Sequence, residues 1–122
     1  MDTILWIAQV VLAVLFLLFG VTHLMRRDTM RERVPWMWAV PREALAVIGL
    51  LEILAAIGLV LPAMTRIQPW LTPLAALCLA VLMVFAIVFH IRRSEMPNIV
   101  LNAILGLLAA FVAWGRYIAY PL

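Results

Sequence analysis

The 122-residue chain has room for a single domain, residues 1–122. Hydrophobic residues make up 68% of it and charged residues 12%, against about 45–50% and about 25% in soluble domains, so a small water-soluble fold is excluded and lipid is the medium this surface requires. The net charge of +3 does not mark a nucleic-acid binder, because all nine basic residues are arginine and seven stand in two short segments between apolar runs, the placement of a topology signal.

The first apolar run, 4–24, follows Asp2 and has no positive leading region. It is also too long for a cleavable signal, and is read as the first spanning helix. The loop at 26–43 has two halves: 26–33 is strongly charged, whereas 34–41 is apolar and carries Trp36 and Trp38. Tryptophan favours the headgroup layer, so the second half is read as interfacial, with a re-entrant dip as the alternative. Further runs follow at 44–61, 70–89 and 99–118. Each is near the ~20 residues a helix needs to cross a bilayer. They are continuous rather than alternating, and an open sheet in lipid would strand its backbone groups. The prolines at 41, 62, 69, 73, 97 and 121 are read as marking segment ends. Cys78, alone in the third run, is read as a small packing residue, and no intrachain disulfide can form. The fold class is therefore all-α, an integral membrane four-helix bundle. Loops one and three hold seven of the nine arginines, which predicts that both termini are extracytoplasmic.

Steps of three and four residues place the polar groups on stripes of small residues. Gln9, Ala13, Phe16, Gly20 and His23 share one face of the first helix, and Gly49, Glu52, Ala55 and Ala56 one face of the second. His90 ends the third stripe at Ala76, Ala80, Met83 and Ala86, and Asn102 begins the fourth at Gly106, Ala109, Ala110 and Ala113. Small residues let helices approach closely in lipid, so the stripes should face one another. Glu52, at mid-membrane, costs roughly 2.5–3.5 kcal/mol if left charged and unpaired. It is expected to be protonated or hydrogen-bonded to Asn102, Gln9, a histidine or water. As interhelical glue it is structural; as a candidate proton carrier it is functional. His23 and His90 are read either as interfacial groups favouring helix C-termini or as parts of one polar site with Asn102. Arg116 is read as snorkelling to the outer interface or as pairing with an anionic ligand. No metal-ligand run, phosphate loop or Ser/His/Asp set is present. A haem between His23 and His90 is the weakest reading, since it leaves Glu52 and Asn102 without a role.

These residues also carry a family pattern. Phe19-Gly20-Val21-Thr22-His23, Ile48-Gly49-Leu50-Leu51-Glu52 running on to Gly58-Leu59-Val60-Leu61-Pro62, His90-Ile91-Arg92-Arg93, and Asn102 with Gly115-Arg116-Tyr117 follow in order across the four runs. The chain in this respect resembles the DoxX-like family of small bacterial four-helix membrane proteins, over about residues 14–117. The family pattern usually has lysine where His23 stands. The resemblance implies a bundle in the bacterial inner membrane and a link to redox systems, such as a thiosulfate:quinone oxidoreductase subunit or membrane-associated oxidoreductase complexes. It marks Glu52, the histidines and Asn102 as candidate site residues.

Three functions are weighed. The first is an accessory or anchoring subunit of a larger redox-related assembly, with a quinone or lipid headgroup site and with membrane lipids and other membrane subunits as partners. The second is a stand-alone quinone-linked oxidoreductase or ligand-binding protein that uses Glu52, His23, His90 and Asn102, with Arg116 a separate ligand-binding candidate. The third is a small proton-coupled transporter. It fits least, because such transporters carry their buried glutamate in the first helix and the arginine bias opposes an antiparallel dimer.

Overall fold

The computed structural model describes residues 1–122, the side chain of Arg27 excepted. In chain order its elements are α1 (Asp2–Met25), α2 (Arg27–Arg33), a 3-10 turn (Pro35–Ala39), α3 (Arg42–Thr65), α4 (Leu71–Arg92), α5 (Met96–Trp114) and a π-helical turn (Gly115–Ala119). α1, α3, α4 and α5 with its π turn are each long and apolar enough to cross a membrane. No strand forms among the described residues. The all-α four-helix membrane bundle expected from hydropathy is the fold the chain adopts.

The helices overrun the apolar runs. α3 extends from Arg42 to Thr65, so Pro62 lies inside it rather than at its end, which corrects the reading that every proline marks a boundary. The physical reason is local. Proline at 62 cannot donate to the carbonyl four residues back, Gly58. Thr72 Oγ1 on α4 donates to that oxygen instead at 2.9 Å, and Gln9 Nε2 on α1 donates to the next carbonyl, Leu59, at 2.7 Å. The Thr72 side chain thus stands in for the missing backbone donor, and the helix continues for one more turn. α5 starts at Met96 rather than 99, with Pro97 in its first turn, a position where the missing N–H is harmless.

α1 and α3 pack antiparallel, Gln9 meeting Leu59 at one end and Gly20 meeting Gly49 at the other. A Cβ built on Gly20 or on Gly49 would lie 2.6 Å from the other's carbonyl oxygen, so these backbones touch only because neither residue has a side chain. Leu12, Phe16, Leu59, Leu79, Leu105 and Val112 fill the bundle axis in one cluster. The small-residue stripe holds less well on α5: Ala109 and Ala113 are buried, but Asn102 and Gly106 are half-buried and Ala110 is exposed. Leu105 and Val112 take the core positions there. Cys78 is exposed on the outer surface, not packed inside.

Residues 26–43 fold across one end of the bundle. Arg42 Nε and Nη2 donate to the two carboxylate oxygens of Asp28 at 2.6 and 3.0 Å, tying α2 to the start of α3. The two tryptophans of the segment part company. Trp38 is exposed beneath the Arg31 guanidinium, as an interfacial residue should be. Trp36 turns inward, against Phe89 and both histidines.

Candidate functional site

The glycine crossing positions the central polar pair. Side chains on a helix lean toward its own N-terminus. In an antiparallel pair, residues just beyond a crossing therefore lean toward each other. His23 lies three residues beyond Gly20 and Glu52 three beyond Gly49. Their side chains meet with His23 Nδ1 2.6 Å from Glu52 Oε1. Glu52 is only 3% exposed, at about 15 Å along α3 by the helical rise. The histidine is the partner such a carboxyl group needs. Gln9 is not: it donates to Leu59 and accepts from Arg116. At this separation one proton must lie between nitrogen and oxygen. His23 Nε2 is left to make a hydrogen bond of its own while Nδ1 keeps the contact.

Beside this pair lies a chamber of about 710 Å3, whose lining includes His23, Glu52, His90 and Asn102. Four of the five sequence-derived candidates are thus brought together. His90 Nδ1 contacts Glu95 Oε1 at 2.8 Å, and Arg93 Nε donates to the same oxygen at 3.1 Å. The His90 hydrogen bond, aided by that of Arg93 and its charge and opposed by burial, holds the Glu95 carboxyl below its ordinary range. Trp36 stands between the two histidines, its ring centroid 5.9 Å from His23 and 5.4 Å from His90, edge-on to both.

Sequence reasoning missed Trp36, Glu95 and Asn98. Asn98 lines the chamber one helical turn ahead of Asn102, a spacing of four that could have flagged it. Glu95 had no signal beyond lying five residues after His90. Among the described residues, the Asn98, Asn102 and Trp36 side chains make no hydrogen bond within the chain. No arginine or lysine is among the residues lining the chamber.

The chamber opens sideways. Leu18, Phe85 and Leu101 line it and are also exposed on the outer surface. α1 and α5 are held together at the far end, through Leu5 against Gly115 and Gln9 with Arg116.

Arg116 is apart from this site. It lies at the opposite end, its side chain 1% exposed, so it does not snorkel. Its Nε donates to Gln9 Oε1 at 2.7 Å, and its Nη1 to Asp2 Oδ1 at 2.6 Å and to the Tyr120 carbonyl at 3.1 Å. Among the described residues no group of three or more His, Cys, Asp or Glu could hold a metal ion.

A bundle of four apolar helices that gathers its buried acid, histidines and amides into one chamber is a small multi-pass membrane protein with an internal polar site. The chain belongs to the DoxX-like family, whose family model matches residues 7–112. That span includes His23, Glu52, His90 and Asn102 and stops short of Arg116. No curated protein and no solved structure matches the chain.

Proposed function

We propose that this protein binds the headgroup of a neutral, quinone-like lipid in the chamber, and does so as an accessory subunit of a redox-related assembly in the bacterial inner membrane. One observation carries the reading: a mostly apolar chamber, lined in part by the outward-exposed Leu18, Phe85 and Leu101, has the His23–Glu52 pair in its wall. The side opening suits a ligand whose tail stays among acyl chains. A phospholipid phosphate would find no arginine or lysine among the lining residues, and each imidazole already has a carboxylate at Nδ1. Ring oxygens of a neutral headgroup could instead meet Asn98, Asn102, the Trp36 N–H and the imidazole Nε2 atoms. Trp36 between the histidines speaks against a haem ligated by both.

The arginine bias supports an orientation with the chamber on the cytoplasmic side and both termini outside. The accessory reading rests on what the resemblance to redox-linked members of the family implies, with other membrane subunits as its partners. A stand-alone quinone-linked enzyme is the second reading, favoured by the capacity of His23 to exchange a proton at Nε2 while Glu52 holds Nδ1.

The test is purification in mild detergent, followed by identification of copurifying proteins and lipid-soluble small molecules and by an absorption spectrum. A quinone-class molecule retained by the native chain and lost from Glu52→Gln is expected, together with partner subunits. Isolation without partners, and without binding of a short-chain quinone, would overturn the proposal.

A further inference from the structure

We infer that the His90–Glu95 pair is a proton port through the chamber wall, by which the buried His23–Glu52 pair exchanges protons with water on the side of the α4–α5 turn. Residues five apart do not share a helical face, so the pair exists because the chain turns back on itself. Ser94 takes a left-handed φ of 57°, and the Glu95 N–H donates to the His90 carbonyl at 3.0 Å. Glu95 Oε1 is thereby set 2.8 Å from His90 Nδ1, and Arg93 Nε steadies the same oxygen at 3.1 Å. The two members face different media. The Glu95 side chain is 19% exposed and is not part of the chamber lining, whereas the His90 side chain is 6% exposed and lines the chamber. Among the described residues, no other lining side chain is hydrogen-bonded to a titratable group outside the lining.

The atoms that would pass the proton are open. Arg116 Nη2 is the one buried side-chain nitrogen or oxygen enclosed without a partner among the described residues. His23 Nε2 and His90 Nε2 have no partner within the chain either, so each faces free space, and both residues line the chamber. At about 710 Å3, with Asn98, Asn102 and Trp36 also in its wall, the chamber is roomy and polar enough for water to bridge the two imidazoles. Trp36 touches both rings, which keeps that stretch short. The other ways in are lined by apolar side chains. Leu18, Phe85 and Leu101 lie on the outer surface, Leu12, Leu59, Leu79 and Val112 fill the axis beyond, and Met30, Val34, Met37 and Val40 face the chamber from the segment that caps it. An imidazole can take a proton at one nitrogen and give one up at the other. Ionised Glu95 accepts from Nδ1–H, which leaves Nε2 bare. A proton released in the chamber joins Nε2; the Nδ1 proton then passes to Glu95 and from there to water, and the reverse sequence admits one. One proton crosses the wall and no electron moves.

The experiment uses full-length protein in lipid nanodiscs, with isotope-labelled histidine and detection by NMR. The chain has two histidines, and His90→Gln establishes which signal is which. After transfer to heavy water, the readout is the exchange rate of the proton held between His23 and Glu52. Glu95→Gln keeps the size of the side chain but cannot ionise. It should slow that exchange about a hundredfold or more, the lower bound usual for a positioned acid–base group, and His90→Gln should slow it as much. Arg93→Gln, which leaves His90 on Glu95, should exchange within a few-fold of native. Lost stability would speed exchange through opening of the fold, so a slower rate cannot come from a damaged variant. Equal exchange rates in the native protein and Glu95→Gln overturn the port. No quinone enters the test, so that result would leave the headgroup reading standing.

Discussion

Gly49 holds the amide nitrogen of Leu24 and the carbonyl of Gly20 so close that a methyl group in its place would overlap backbone on both sides, at 2.8 and 2.6 Å. Gly49→Ala gains about 1 kcal/mol of helix propensity, but neither backbone atom can move without separating α1 from α3. Overpacking of this kind typically costs about 1–3 kcal/mol, so a net loss is expected, with His23 drawn away from Glu52. Gly106→Ala is the control. Its new Cβ meets Met83 Cβ at 3.1 Å and no backbone atom, so α4 has to give by only a few tenths of an ångström; the change should stay within about 1 kcal/mol. Thermal unfolding in detergent distinguishes the two. Equal midpoints would mean that the glycine crossing does not set the spacing of α1 and α3.

The His23–Glu52 contact predicts an asymmetric set of variants. His23→Leu leaves a 3% exposed acid without its partner, and breaking a buried pair from one side costs about 3–5 kcal/mol. The double variant His23→Leu/Glu52→Leu removes both polar groups and should recover most of that loss. His23→Lys, which restores the residue usual in the family pattern, should also fold, because an ammonium can meet the same carboxylate. With Glu52→Leu as the second single variant, the four unfolding free energies of the native chain, the two leucine singles and the double form a coupling cycle. Additive effects of the two leucine substitutions would show that the pair is not a unit.

How far the sequence carries is clearest at particular residues. Four spans could be read from apolar run length, because lipid leaves the backbone no alternative to helix. The gathering of His23, Glu52, His90 and Asn102 was legible in part, because a polar residue on a small-residue stripe has only the bundle interior to face. Which residue meets Glu52 was not legible: Gln9 and His23 share one stripe, and only the Gly20–Gly49 crossing decides between them. Pro62 escaped for a related reason, since the donor that replaces its missing N–H comes from Thr72 on another helix. Trp36 and Trp38 are two residues apart with the same headgroup preference, and only tertiary packing turns one inward.

Acid sensitivity should report on Glu95. Its carboxyl titrates below the ordinary range because His90, then Arg93, hydrogen-bond to its charged form. A group depressed in the folded state adds stability that is fully present above its unfolded pKa, about 4.3, and that vanishes as pH falls through the lower folded value. The native chain should therefore exceed Glu95→Gln in unfolding midpoint by a constant margin above about pH 5, a margin that narrows as pH falls past about 4.3 and closes only beneath the lower folded value. Other carboxylates shift both proteins alike, so the difference isolates this one. A margin independent of pH would exclude the ionised contact as its source.

Trp36 and Trp38 offer the last comparison, two identical substitutions with different expected results. Trp36 touches His23, Phe89 and His90 with its ring edges and faces, and it is half-buried. Removing a fully buried tryptophan costs about 3–5 kcal/mol; Trp36→Ala should cost roughly half of that, and Trp36→Phe, which keeps an aromatic wall, distinctly less. Trp38 has an exposed ring under Arg31, a contact worth about 0.5–1 kcal/mol at such sites, so Trp38→Ala should stay within about 1 kcal/mol. Binding separates them further. In a variant retaining Trp36 as its only tryptophan, a short-chain quinone entering the chamber comes within contact of the indole and should quench its fluorescence saturably. A variant retaining only Trp38 should show no saturable quenching. Saturable quenching of both, or of neither, would place the quinone outside the chamber that Trp36 helps to enclose.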